Sequence, residues 1–309
     1  RRLGATKIQI GYQSLDDEVL RLNRRGHDTA ATRRAMRLLR GAGFKVQAHW
    51  MPNLYGSDRE RDLRDYERIF GDPAYRPDEL KLYPTSLVDT AELMERFLDG
   101  SWRPYETTEL ARLLEECLLR TPPYCRLSRV IRDIPSTDIV EGNKTTNLRE
   151  IAEAGLAARG LRCADIRSRE IRGNATRPED LRLAAVEYEA AGSREIFLQL
   201  VTEDDRLAGF LRLSLPIEPP PIAELAATAM VRELHVYGEL VGLGARSDGA
   251  AQHHGLGRQL MAAARERAAA EGYRSLAVIS AVGTREYYRK LGFVDGALYQ
   301  HCRLDGAAL

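Results

Sequence analysis

The sequence predicts an α/β fold, in which a partial β/α barrel is followed by a second α/β domain. Two observations lead to this prediction. The first half alternates short apolar strands with amphipathic helices, a pattern typical of parallel strands joined by helices. The second half holds a glycine-bearing loop that runs directly into a helix, with a short apolar strand on either side of the pair. The 309 residues, 44% of them hydrophobic, are enough for roughly two globular domains.

The first half contains about three strand–helix units, too few to close a barrel. Strands are predicted at residues 6–11, 44–51 and 79–83, and helices at 29–39, 58–70, 89–98 and 107–119. Gly41 and Gly43 end the first helix, and Pro52 and Pro84 end the second and third strands. This order predicts parallel strands with helices between them.

The glycine-bearing loop, residues 248–258, opens a helix with an apolar residue at every fourth position. That stripe consists of Leu256, Leu260, Ala264 and Ala268. A helix start carries about half a positive charge and up to four unpaired N–H groups, so it suits an anion. Gly255 and Gly257 lack the Cβ that would keep a phosphate away from the backbone. Taken alone, the loop is explained equally well as a tight turn before a surface helix. The elements on either side of it decide between a tight turn and an anion-binding loop.

The neighbouring elements follow the order of the acetyl-CoA-binding part of the GNAT acetyltransferases. A strand at 229–236 precedes the loop, a strand at 275–280 follows the helix, and a tyrosine-bearing helix at 284–293 comes next. The pattern Gln252-x-x-Gly255-x-Gly257 resembles the GNAT loop that binds the diphosphate of acetyl-CoA. The resemblance implies a mixed β-sheet flanked by helices, in which two strands splay and the pantetheine lies between them.

The same resemblance implies which residues contact acetyl-CoA. These are Glu233, Leu234, His235, Val236, Gln252, Gly255, Leu256, Gly257, Arg258 and Tyr288. Tyr287 and Tyr288 are the candidate catalytic residues near the thioester, although core packing is as good an account of one of them, because neighbours on a helix face different ways. Glu233 is either a general base or a residue whose backbone binds pantetheine, and the second is favoured. For His235 we favour a buried core histidine.

Further motifs extend the resemblance to nearly the whole chain. They are Ile10-Gly11-Tyr12-Gln13-Ser14, Asn23-Arg24-Arg25-Gly26-His27, Gly43-Phe44-Lys45-Val46, Leu80-Lys81-Leu82-Tyr83-Pro84, Arg129-Val130-Ile131-Arg132-Asp133 and Glu233-Leu234-His235-Val236-Tyr237-Gly238. In this order they resemble the catalytic subunit family of Elongator, which pairs a radical-SAM barrel with a GNAT-type domain. The resemblance implies modification of carbon 5 of the wobble uridine in tRNA. It also implies acetyl-CoA, S-adenosylmethionine and a 4Fe–4S cluster as cofactors, with a radical formed on the acetyl methyl.

The cysteines depart from the family pattern. Cys117, Cys125, Cys163 and Cys302 form no close triplet, whereas the family's cluster is held by three neighbouring thiolates. We therefore expect a fragment that lacks the cluster loop, so that the radical step needs a missing amino-terminal part. The cysteine pattern also fits a reducing, cytoplasmic location. A structural zinc near Cys163 is the less favoured reading of a cysteine with no paired partner, and no metal site is predicted.

The resemblance predicts three segments. They are the carboxy-terminal part of a radical-SAM barrel at 1–125, a linker region at 126–164 and a GNAT-type lysine-acetyltransferase-like domain at 165–309. Arg126, Arg129 and Arg132 are candidates to contact tRNA phosphates, although a solvated charged edge explains them nearly as well.

Three functions from different classes fit the sequence. The first is a tRNA uridine(34) acetyl/carboxymethyltransferase that uses acetyl-CoA and S-adenosylmethionine. The second is a GNAT enzyme that acetylates protein lysine, as histone acetyltransferases do, with no dependence on tRNA. The third is a non-catalytic module that binds acetyl-CoA or tRNA. No run of about 18 apolar residues is present, so no membrane span is expected.

Overall fold

A computed structural model describes residues 2–130, 134–145, 147–171, 177–237 and 255–304. The chain divides into two compact units. The four-stranded unit comprises residues 9–35 and 46–168, and the seven-stranded unit comprises residues 1–8, 36–45 and 169–309. Residues 36–45 therefore belong with the carboxy-terminal half of the chain. The domain boundaries expected after residues 125 and 164 stay predictions.

Parallel strands in the order β1-β2-β3-β4 define the four-stranded unit. The elements of the first half are β1 Lys7–Gln13, α1 Asp17–Leu22, α2 Thr29–Gly41, β2 Lys45–Trp50, α3 Arg59–Gly71, β3 Glu79–Leu82, α4 Leu93–Leu98, α5 Thr107–Arg120, β4 Arg126–Val130, α6 Leu148–Ala158 and α7 Ile166–Arg169. Short 3-10 turns lie at Pro73–Tyr75 and Ser136–Asp138. The expected alternation of strands and helices is confirmed. The helix predicted at 89–98 is shorter in the structure. Residues 89–92 form turns, and α4 starts only at Leu93, without a side-chain cap.

Helix α3 shows how this unit buries polar groups together with apolar ones. Its inner face carries Tyr66 and Ile69, and the ring of Tyr66 meets Trp50 edge-on at 5.0 Å. Asp65 is buried on the same face, where its carboxylate accepts the indole N–H of Trp50 at 2.7 Å and the backbone N–H of Leu15 at 2.8 Å. Both oxygens of the buried carboxyl group therefore accept hydrogen bonds, which reduces the cost of its burial.

The seven-stranded unit is a mixed sheet in the order β10-β11-β9-β8-β7-β6-β5. Its elements are β5 Arg182–Ala190, β6 Ser193–Val201, β7 Leu207–Pro216, β8 Ala229–Val236, α8 Leu256–Ala270, β9 Ser275–Val278, α9 Arg285–Lys290, β10 Val294–Asp295 and β11 Gln300–Arg303, with 3-10 turns at Pro178–Asp180, Ala223–Leu225 and Val282–Thr284. Neighbouring strands are antiparallel except β8 and β9, which are parallel. The expected mixed sheet with flanking helices is confirmed.

The two faces of this sheet differ in chemistry. One face packs against α8 through a core cluster that includes Leu198, Leu211, Val231 and Leu260. The other face carries buried charges, among them Glu195, Arg212 and Arg232. Among the described helices, none has both the length and the apolar character needed to cross a membrane.

Candidate functional site

Strands β8 and β9 start as a parallel pair and then separate. Their pairing runs from Ala229 opposite Leu276 to Val231 opposite Val278, and the N–H of Ile279 donates to the carbonyl of Val231 at 3.2 Å. Strand β9 ends at Val278, whereas β8 continues to Val236. The β9-side edge of β8 beyond Val231 is therefore left without a paired strand in the part of the chain that is described. An extended molecule can lie along such an edge as an additional strand.

A β-bulge marks the point of separation. Strand β7 pairs Arg212 with Glu233 and Leu213 with Val231, so Arg232 is an extra residue on β8. Val231 and Leu234 both pack into the cluster around α8. Since side chains otherwise alternate along a strand, the bulge places both Arg232 and Glu233 on the face opposite α8.

Helix α8 begins at Leu256, next to this gap. Gly255 caps it, and a Cβ added at Gly255 would meet no atom of the described residues within 4 Å, so among these residues nothing blocks the approach of a ligand to its backbone. A Cβ added at Gly257 would stand 2.6 Å from the hydroxyl oxygen of Tyr287 and 3.8 Å from the Cδ2 atom of Leu234. The helix start, the outer half of β8 and Tyr287 therefore meet at one place. Gln252, the first residue of the predicted diphosphate loop, lies outside the described residues.

Tyr287 and Tyr288 occupy different environments on α9. Tyr287 is 38% exposed, and partial burial raises the pKa of its hydroxyl, an effect that the charge of Arg258 reduces. Tyr288 is buried among core residues, with its ring edge-on to Phe293 at 5.7 Å. Burial raises the pKa of Tyr288, and the charges of Tyr287 and Glu233 add to the effect. Both hydroxyls are therefore protonated at neutral pH, and their catalytic roles stay predictions.

The carboxylate of Glu233 is held by two cations. One oxygen accepts from the Nζ atom of Lys45, and the other accepts from the Nε atom of Arg212 at 2.9 Å. Burial acts to raise the pKa of Glu233, but the charges and hydrogen bonds of Lys45 and Arg212 outweigh it, so the pKa is lowered. A carboxylate that is ionised and engaged in this way is a poor proton acceptor, which argues against Glu233 as a general base. Its backbone role beside pantetheine stays a prediction.

The last residues of β8 line the outer half of the gap. Leu234 and Val236 are half-buried and pack against the core cluster around α8. His235 points to the other face, where it is exposed and its ring stacks on Phe210 at 5.7 Å. The interpretation of His235 as a buried core histidine is therefore wrong, because the pattern of a strand gives the face of a residue but not how far that face is covered.

The predicted nucleic-acid residues Arg126 and Arg129 lie on β4 of the four-stranded unit. Arg126 is half-buried and Arg129 is exposed. Arg132 lies outside the described residues. The positive charge of Arg129 acts to lower the pKa of Tyr83, although burial of Tyr83 raises it overall, so the two side chains are close.

A polar row on the same sheet was missed by the sequence analysis. The Oε1 atom of Gln9 lies 3.0 Å from Nε2 of His49 and 3.2 Å from Nζ of Lys81. Tyr83 continues the row, with Lys81 Nζ 5.7 Å from the centre of its ring. These residues come from three neighbouring parallel strands or their ends. The sequence feature that could have indicated this row is the occurrence of polar residues at alternate positions of otherwise apolar strands.

The cysteines do not fit an iron–sulfur cluster. Cys117, Cys125 and Cys302 are buried, and Cys163 is half-buried. Burial raises the pKa of Cys117 well above its usual range and that of Cys163 to about 11. Across the described ranges, no group of three or more His, Cys, Asp or Glu side chains is arranged to hold a metal. The described residues therefore provide no cluster site.

Comparisons with known proteins agree with this architecture. Residues 77–157 match the model of the Radical_SAM C-terminal domain, and residues 164–293 match the acetyltransferase (GNAT) family. A tRNA uridine(34) acetyltransferase from Dehalococcoides mccartyi is 41% identical over 98% of this chain and 67% of its own length. Human Elongator complex protein 3 is 40% identical over 94% of this chain and 54% of its own length.

A solved structure supports the same assignment. The archaeal Methanocaldococcus infernus Elp3 superposes with a TM-score of 0.89 at 38% identity, over 98% of this chain and 73% of that one. The chain thus spans between about half and two thirds of the length of its curated relatives. The similarity to the Elongator catalytic subunits expected from the motifs is confirmed. The chain belongs to the family of the tRNA uridine(34) acetyltransferases and Elongator complex protein 3.

Proposed function

We propose that this chain is the acetyl-CoA-binding part of an enzyme that modifies carbon 5 of the wobble uridine in tRNA. The observation that carries the proposal is the separation of β8 from β9 beside the start of α8. Acetyl-CoA has an extended pantetheine arm and a diphosphate, and the gap and the helix start suit these two parts. In the family, the radical-SAM and GNAT domains also imply S-adenosylmethionine and a 4Fe–4S cluster. The described residues hold no group of side chains that could ligate the cluster.

The residues around the gap have separate tasks in this proposal. The backbone of β8 beyond Val231 hydrogen-bonds pantetheine as a strand partner would. The N–H groups at the start of α8, with Arg258 in its first turn, bind the diphosphate. Tyr287 and Tyr288 lie near the thioester as protonated hydroxyls, able to donate a hydrogen bond. When bound, acetyl-CoA supplies the two-carbon unit, and the protein orients its methyl group.

The state of Glu233 favours the tRNA-modifying function over the alternative of amine acetylation. Transfer to a lysine amine needs a group that removes a proton from the ammonium form of the substrate. The candidate general base, Glu233, is ionised but occupied by Lys45 and Arg212, and its pKa is lowered. Carbon–carbon bond formation on the acetyl methyl does not require that base.

Replacement of Gly257 by Glu tests the acetyl-CoA site. The new side chain would collide with Tyr287 and bring a negative charge to the place proposed for the diphosphate. We expect calorimetric titration with acetyl-CoA to show a loss of affinity of at least about a hundredfold. Gly71→Glu is the matched control, because Gly71 lies in the other unit and a Cβ there would meet no atom within 4 Å in the part of the chain that is described. Unchanged affinity in the Gly257→Glu variant would refute the diphosphate assignment.

A further inference from the structure

Two adjacent residues at the β8 bulge form hydrogen bonds with two adjacent residues from the first half of the sequence. Arg232 donates from Nη1 to the carbonyl of Phe44 at 3.0 Å, and Glu233 accepts from the Nζ atom of Lys45. We call these four residues, Phe44, Lys45, Arg232 and Glu233, the bulge clamp. All four belong to the seven-stranded unit, although 188 positions separate each pair in sequence.

The charged side chains of the bulge clamp are largely buried, and each of them is paired with a side chain of opposite charge. Arg232, whose side chain is 0% exposed, donates from Nε and Nη2 to one oxygen of Glu195 at 2.9 and 2.6 Å. Arg40 lies 3.9 Å from the same oxygen. Removing one partner of a buried ion pair leaves a buried charge without compensation, which is strongly destabilising. These ion pairs therefore hold the bulge residues in their observed positions.

Phe44 lies against the two strands that separate. It packs on a cluster that includes Met230 on β8 together with Ala277 and Ile279 on and just after β9. The approach is close, because a Cβ added at Gly43 would stand 1.9 Å from the sulfur of Met230, and Gly43 has a φ of +77°. The Tyr299 hydroxyl donates to the carbonyl of Ala42 at 2.8 Å. Residues 42–45 therefore cover the point of separation on the face opposite α8.

We propose that Lys45 is a positioning residue for acetyl-CoA, acting through Glu233. The inference rests on the proposed acetyl-CoA function. Lys45 keeps the Glu233 side chain on the face opposite α8, which preserves the bulge and keeps Leu234 turned toward α8. Without the ammonium group, Glu233 retains Arg212 as its cation, and β8 can relax toward regular alternation. That change rotates residues 233–236 and alters the edge along which pantetheine lies.

Lys45→Met in the full chain tests the inference by calorimetric titration with acetyl-CoA. We expect an affinity loss of about tenfold, and Lys45→Arg should restore affinity to within about threefold of the wild type. Arg37→Met is the matched control, because Arg37 comes from the same segment and pairs with Glu218 at the surface of the same unit. It should bind acetyl-CoA as the wild type does. Should Lys45→Met not fold, Lys45→Gln takes its place, with an expected loss of at least about threefold.

Two further readouts separate positioning from general destabilisation. Amide hydrogens of residues 232–236 should exchange faster in Lys45→Met than in the wild type, while those of α5 keep their rate. The double variant Lys45→Met/Glu233→Gln should lose no more affinity than the weaker-binding single variant, because the two residues act as one unit. Wild-type affinity in folded Lys45→Met, or equal losses in Lys45→Met and Arg37→Met, overturns the inference. A wild-type chain that does not bind acetyl-CoA overturns the proposed function itself.

Discussion

At the scale of single residues, burial gives Asp65 an unusual pKa. Burial raises the pKa of its carboxyl to about 6, and hydrogen bonds from Trp50, the N–H of Leu15 and Ser14 only partly offset the effect. An unfolded chain would release this proton near the ordinary value of 3.8. Between these two values the folded state holds more protons than the unfolded state, so the free energy of unfolding falls as pH rises.

Asp65→Asn isolates this dependence. The contribution of Asp65 to the free energy of unfolding should decrease by up to about 3 kcal/mol from pH 4 to pH 7, since one pKa unit corresponds to about 1.4 kcal/mol. Urea unfolding, monitored by tryptophan fluorescence, measures this free energy. Trp50 and Trp102 both lie in the four-stranded unit, so their fluorescence reports on the unfolding of that unit. The difference in the free energy of unfolding between the wild type and the variant should change between pH 4 and 6 and be constant above pH 7. Parallel curves for the two proteins over the whole range would mean that Asp65 titrates normally.

At the scale of elements, a register shift between β3 and β4 places Arg126 and Arg129 on the same face of the sheet. Arg126 pairs with Glu79 and Arg129 pairs with Lys81, because the register of β3 and β4 shifts by one residue between Leu80 and Lys81. Glu79 and Lys81 are two positions apart and share a face of β3. Residues three apart on a regular strand would face opposite ways, so the shift makes a joint phosphate contact by Arg126 and Arg129 geometrically possible.

Arg126→Glu/Arg129→Glu should weaken tRNA binding in low salt and reduce the dependence of affinity on salt. Each lost phosphate contact should lower the slope of log affinity against log salt by about 0.7 to 0.9. Filter binding at several salt concentrations measures the slope, and acetyl-CoA affinity should stay unchanged. Arg21→Glu/Arg177→Glu is the charge-matched control, since both of these side chains are exposed and pair with local acids. Equal slopes for the two double variants would identify the β4 arginines as an ordinary solvated edge.

The elements themselves could be predicted from sequence because local patterns determine them. Strand β8 and the start of α8 follow apolar periodicity and the position of glycine, and both were placed correctly. The bulge at Arg232 could not be predicted, because it exists only relative to the register of β7. The contact of Lys45 with Glu233 was equally hidden, since no local pattern connects residues so far apart. The occupied state of Glu233 follows from that contact and was missed with it.

At the scale of the whole molecule, the proposed acetyl-CoA site draws on distant parts of the chain. Residues 36–45 are part of the seven-stranded unit, while the residues on either side of them belong to the four-stranded unit. An acetyltransferase domain cut from the chain at residue 165 would lack Arg40, Phe44 and Lys45. The two halves of the sequence therefore depend on each other for the structure around the bulge.

Hydrogen exchange with and without acetyl-CoA tests the central claim most directly. Helix α8 begins with Leu256, Gly257 and Arg258, whose N–H groups have no partner within the helix. These N–H groups should therefore exchange quickly in the free protein. Acetyl-CoA should slow exchange there and along residues 232–236 of β8, while α5 in the other unit keeps its rate. Binding of acetyl-CoA with protection elsewhere, and none at these two segments, would contradict a site between β8 and β9 at the start of α8.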